Sequence, residues 1–190
     1  MKIRFSVTPA MLILFCCMLA TTPLPTLGAS LLAALLHELG HVAAATALGI
    51  DLREVRLDVL GARLQTAGHL HSYAAEVVLC AAGPAVNFIL FFLLLPFLER
   101  AAFLSSLGLA SLSLGVFNLV PISGFDGGRI FSGLLHKLLP PVLAEQLASV
   151  ASFLSLLCIW MLSVWLLLRT GTSLSLFVFS CYLFAMLFVR

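Results

Sequence analysis

Long apolar runs separated by short polar breaks recur along the chain from one end to the other. Crossing a hydrocarbon core takes roughly 20 apolar residues. The runs therefore predict six membrane segments, at about residues 7–25, 29–49, 73–98, 101–122, 142–168 and 173–189. The one extended polar stretch is 50–72, where Leu52, Val55, Leu57 and Val59 partly alternate with charged residues. With Gly61 as a turn, residues 50–66 read as a short β-hairpin at the membrane surface, between the second and third segments. Pro140-Pro141 reads as a turn, and neither an internal repeat nor a low-complexity linker is visible. The predicted fold class is an all-α polytopic membrane protein of about six transmembrane helices with a small β-hairpin, forming a single domain over 1–190.

Composition strengthens this picture. Hydrophobic residues make up 62% of the chain and charged ones 9%, against about 25% charged in soluble domains. A lipid bilayer is thus the expected surrounding. A net charge of +2 with scattered Lys and Arg does not make the basic patch that nucleic acid requires, so nucleic acid is not an expected partner. The cysteines Cys16, Cys17, Cys80, Cys158 and Cys181 lie in apolar segments without CxxC spacing and read as small buried hydrophobes. Lys2 and Arg4 followed by an apolar stretch superficially match a secretory signal, but a second apolar segment follows at once, which favours a retained first helix.

Loop charges set an expected orientation, because Lys and Arg accumulate on the cytoplasmic side. With a cytoplasmic N-terminus, Lys2, Arg4, Arg53, Arg56, Arg63, Arg129, Lys137 and Arg190 all lie inside, and only Arg100 and Arg169 outside.

The chemistry is concentrated in Leu35-Leu36-His37-Glu38-Leu39-Gly40-His41-Val42, an HExxH sequence within an apolar helix. Residues four apart share a helix face, so His37 and His41 can offer two imidazole nitrogens to one metal ion with Glu38 beside them. Zinc held by two His, a third ligand and an open position lowers the pKa of a water, and an adjacent carboxylate can accept its proton. The bland alternative is a polar cluster bonding between helices. Three ionisable groups within five membrane residues are costly, however, and such groups usually mark a functional site.

A third ligand has to come from elsewhere. Asp126 follows a helix end in Asn118-Leu119-Val120-Pro121-Ile122-Ser123-Gly124-Phe125-Asp126-Gly127-Gly128, where Pro121, Gly124, Gly127 and Gly128 allow irregular backbone at membrane depth. Glu76, His69, His71 and His136 are rivals with plainer roles: a helix-start carboxylate, two interfacial loop histidines and a helix-end residue. Asp126 is the better candidate.

HELGH in one membrane segment, followed by Asn118, Pro121 and Asp126-Gly127-Gly128 at the end of a later one, resembles the site-2 protease family of intramembrane zinc metalloproteases (M50-type). The compact six-span layout is similar to its stage IV sporulation branch, which cleaves a membrane-associated pro-sigma factor. The resemblance covers about residues 27–130, leaving 142–189 as accessory helices. It implies one zinc ion on His37, His41 and Asp126, Glu38 as general base, and Asn118 as a substrate-contacting residue. Regulated intramembrane proteolysis of a membrane-tethered protein substrate is the implied activity, with a membrane inhibitor or regulator as a further partner. Gly83-Pro84-Ala85-Val86-Asn87 also resembles the family's third-segment pattern, with Asn87 as a core support. Many members carry a proline where this chain has Gly124, so the loop presenting Asp126 is expected to be more flexible.

Two other classes compete. A non-catalytic membrane adaptor could keep the zinc site as a structural feature, although the intact Glu38 argues against it. A metal transporter would need successive ligand layers across the bilayer, and this sequence has one cluster. In the expected orientation the site lies about 14–20 Å from the cytoplasmic helix end at Ile50 and opens towards the cytoplasm.

Overall fold

The structure is a computed structural model that describes residues 4–7, 15–16, 18–20, 22–50, 52–58, 61–66, 72–170 and 174–188. It divides into two compact units, residues 1–119 and 120–190.

The first unit is built on three mutually packed helices, α1 (Leu24–Ala47), α2 (Tyr73–Leu94) and α3 (Ala102–Asn118). Helix α1 begins at Leu24, with Pro23 as its N-cap and Pro25 in its first turn, because proline can open a helix but not continue one. The predicted boundary at 25–29 therefore moves back to Leu24. At the other end Gly49 takes φ 67°, which lets Ile50 N donate to Ala45 O (2.9 Å) and Gly49 N to Thr46 O (3.1 Å). This pair of bonds is a Schellman motif, and the glycine supplies the left-handed residue it needs. Helix α2 is capped by Ser72, whose hydroxyl accepts from Ala74 N at 3.2 Å.

Two stripes on α1 reveal its solvent. Ala29, Ala33, His37, His41 and Ala45 recur every four residues and are buried. Leu31, Leu35 and Leu39 recur on the opposite side and are exposed, Leu35 at 57%. Small and polar residues inward with large apolar residues outward is the pattern of a helix solvated by lipid. Among the described residues, three helices are long and apolar enough to cross a membrane: Leu24–Ala47, Tyr73–Phe97 and Pro141–Arg169. The chain is a membrane protein. The six-span count does not follow from the described residues, since α3 has 17 residues, the last helix 15, and residues 8–14 of the first predicted segment lie outside them.

Close approach of α1 to α2 depends on glycine. A Cβ on Gly40 would lie 2.8 Å from Ala82 O, nearer than van der Waals contact allows. Around the crossing, Ala29, Ala33 and Leu107 form one small core with Leu90, Leu94 and Ala110, and Ala45 and Leu79 form another.

Among the described residues, three strands also belong to this unit, in the order β1 (Arg4–Val7), β2 (Leu52–Asp58), β3 (Gly61–Thr66). β2 and β3 are antiparallel, with Val55 opposite Leu64, and β1 runs parallel to β2, with Arg4 opposite Glu54. Val7 is thus a strand residue and not the start of a membrane helix. Four residues are too few to show a period, and their partners lie some 50 positions away.

In the second unit α4 (Asp126–Leu138) packs on α5 (Pro141–Thr170), and α5 on α6 (Leu174–Phe188). The hydroxyls of Ser163 and Ser180 join α5 to α6 at 3.0 Å, beside edge-on contacts of Phe184 with Phe153 and Trp160. Helix α4 departs from the sequence expectation, which places no membrane segment between 122 and 142 and gives no bounds to the helix that His136 would end. Its first turn contains Gly127-Gly128, ordinarily helix-breaking, and its polar residues Arg129, His136 and Lys137 interrupt any apolar run.

Candidate metal centre

Helical spacing brings His37 and His41 one above the other on the buried face of α1, at 4% and 6% exposure. Their rings stand nearly perpendicular, at 83°, and their Nε2 atoms face each other 3.2 Å apart. The second nitrogen of each ring has its own partner on α2. His41 Nδ1 lies 2.8 Å from Leu79 O. A carbonyl can only accept, so Nδ1 carries a proton, and in the neutral ring Nε2 is left with a lone pair. His37 Nδ1 lies 3.1 Å from the side-chain amide of Asn87, which is fully buried. Half a turn of that amide exchanges its nitrogen for its oxygen, which can accept from His37 Nδ1–H and free the lone pair of His37 Nε2 as well.

Space for a metal beside these nitrogens is provided by Gly83. A Cβ there would overlap His41 Nε2 and lie 2.8 Å from His37 Cε1. Any larger residue would fill the place in front of the imidazoles. The donor set fits zinc: neutral imidazoles fixed by partners on their second nitrogens are borderline-soft ligands, and tetrahedral ligands at about 2.1 Å from zinc stand about 3.4 Å apart.

Glu38 follows His37 in sequence and is half-buried, with Oε2 shielded from solvent. Asn118 is the last residue of α3, and its Nδ2 donates to Leu114 O at 3.1 Å, which uses one of its two amide hydrogens.

The second unit presents Asp126 as the first residue of α4, where a carboxylate faces the positive end of the helix. Two successive turns lead to it. Ile122 N donates to Val120 O at 2.7 Å around Pro121, and Phe125 N donates to Ile122 O at 3.0 Å around Ser123-Gly124. Gly124 has φ 111°, the left-handed third position of that turn, which a proline with φ near −65° cannot adopt. The glycine expected to loosen the loop is the residue its hydrogen-bonded turn requires. Ile122 and Phe125 are buried, and a Cβ on Gly128 would collide with Ile122 O, so the turn folds directly onto the start of α4.

Among the rival ligands, Glu76 sits in the first turn of α2, and His136 bonds through Nδ1 to Ser132 in the last turn of α4, 2.8 Å from its carbonyl. His69 and His71 lie outside the described residues. Asn87 gains more than a core-supporting place, because it touches His37. The available signal was an amide in the middle of an apolar helix.

The family-model match bears on the later part of this set of residues. A model of Peptidase family M50 matches residues 95–162, the stretch that contains Asn118 and Asp126. The chain is similar to Peptidase family M50. A candidate zinc metalloprotease of Synechocystis sp. is 30% identical over 110 residues, which cover 54% of this chain and 29% of that protein. A zinc metalloprotease of Methanocaldococcus jannaschii is 32% identical over 114 residues, covering 54% and 32%. The chain thus spans about a third of the length of these curated relatives. In fold it is similar to the solved site-2 protease from Methanocaldococcus jannaschii, with a TM-score of 0.66 over 96% of this chain and 88% of that one, at 23% identity. Similarity to peptidase family M50 and to zinc metalloproteases agrees with a donor set suited to zinc.

Proposed function

We propose that the chain is an intramembrane zinc metalloprotease whose metal is held by His37, His41 and Asp126. The observation that supports this best is the buried pair of Nε2 atoms 3.2 Å apart, each ring tied through its other nitrogen to α2. Zinc, when bound, supplies a Lewis acid that polarises the scissile carbonyl and lowers the pKa of a water at its open position to about 7.

The chain's own residues do the rest. Glu38 takes the proton of the attacking water and returns it to the leaving nitrogen. Asn118 has a second amide hydrogen to offer the carbonyl oxygen as negative charge develops there. The apolar stripe of Leu31, Leu35 and Leu39 keeps α1 in lipid, so the substrate is a membrane-tethered protein cleaved in or near its membrane segment. Such a substrate would be a regulator released by the cut, of which a pro-sigma factor is one form. A cytoplasmic N-terminus, from the loop charges, would open the site towards the cytoplasm.

An unwound substrate could pair with the sheet. Among the described residues the outer strands of the order β1-β2-β3 are β1 and β3, and an edge strand offers main-chain hydrogen bonds whatever the side chains. The test is cleavage of a transmembrane reporter by purified protein in bilayer discs. Wild type should cut it and Glu38→Gln should not; equal cleavage by both would sink the mechanism.

A further inference from the structure

We propose that Ser152, on the accessory helix α5, is a positioning residue for Asp126. Ser152 is 1% exposed, and its Oγ accepts a hydrogen bond from the backbone N–H of Ser123 at 2.9 Å. Ser123 is the second residue of the turn that ends at Phe125, and the turn's own hydrogen bond uses the N–H of Phe125, not that of Ser123. The Ser123 N–H therefore points out of the turn, and Ser152 receives it.

A serine in an apolar helix usually turns its hydroxyl back onto the carbonyl four residues earlier. The Ser152 oxygen accepts from a segment outside its helix, three residues before Asp126. The turn cannot pass this constraint by. Buried Ile122 and Phe125 hold its sides, Gly124 fixes its backbone at φ 111°, and Gly128 brings Ile122 O against the first turn of α4. A displacement at Ser123 is thus transmitted to the start of α4, where the Asp126 carboxylate leaves the backbone. Helix α5, to which sequence patterning assigned no chemistry, has one residue engaged with the segment that presents the third ligand.

This inference rests on the reading of Asp126 as a zinc ligand. The experiment measures zinc affinity by chelator competition and amide hydrogen exchange over residues 119–126, in full-length wild type, Ser152→Ala, Ser152→Thr and Asp126→Ala, with thermal unfolding alongside. Loss of a partner that orients a metal ligand weakens affinity by about 10–100-fold. Ser152→Ala should fall in that range and speed exchange over 119–126, while Ser152→Thr, which keeps the acceptor oxygen, should restore both. Wild-type affinity in Ser152→Ala, with zinc lost in Asp126→Ala, would overturn the positioning role and leave the ligand reading intact. Wild-type affinity in Asp126→Ala would overturn both. An affinity loss that Ser152→Thr does not restore, with a matching drop in unfolding temperature, would make Ser152 a packing residue only and overturn the proposal. Should Ser152→Ala fail to fold, Ser152→Cys, with a weaker acceptor of similar size, must show an intermediate loss; wild-type affinity there overturns the proposal.

Discussion

The side-chain amide of Asn87 lies 3.1 Å from Nδ1 of His37, joining the middle of α2 to the candidate metal centre on α1. Zinc on His37 Nε2 requires a proton on Nδ1 and an acceptor for it. Replacing Asn87 by Leu should weaken zinc affinity by about 10–100-fold, whereas Asn87→Asp, which keeps an oxygen acceptor, should retain most of it. Chelator competition on the purified variants checks this, and equal affinities in both would remove Asn87 from the site.

Gly83 makes the second prediction. A methyl group at this position would occupy the space in front of His41 Nε2. Gly83→Ala should therefore lose zinc and cost about 1–3 kcal/mol through overpacking of α1 against α2. Zinc content and thermal unfolding in detergent measure the two effects separately.

The third concerns the turn before Asp126. A left-handed φ costs a residue with a side chain on the order of 1–3 kcal/mol, so Gly124→Ala should lower stability by that amount. Gly124→Pro should do worse, since its ring fixes φ near −65°, and should also lower zinc affinity. Denaturation midpoints and metal titration report these outcomes.

Ser163 supplies a control with no part in the proposed chemistry. Its 3.0 Å contact with Ser180 links α5 and α6, and a hydroxyl pair between membrane helices is worth about 0.6 kcal/mol. Ser163→Ala should lower the unfolding temperature slightly and leave reporter cleavage unchanged.

Part of this arrangement was legible in the sequence. The i, i+4 spacing of His37 and His41 on an apolar helix depends only on local geometry, which residue spacing encodes directly. The long helices 73–94 and 141–170 follow from apolar runs for the same reason. Helix α4 was hidden because Gly127 and Gly128 break helices in isolation, whereas here Ile122 O comes so close to Gly128 that no side chain would fit. Strand β1 and the Asn87–His37 contact were hidden by distance: each joins residues about 50 apart, and no local pattern records such a partner. Gly124 misled because an irregular residue suggests looseness, whereas its φ of 111° is a conformation the turn demands.

The central claim is that His37, His41 and Asp126 hold one metal ion. Zinc content per chain in detergent-purified protein, comparing wild type with Asp126→Ala, tests it most directly. The account predicts about one zinc per wild-type chain and marked loss in the variant. A folded wild type that binds no zinc would contradict it and remove the basis for the proposed hydrolysis.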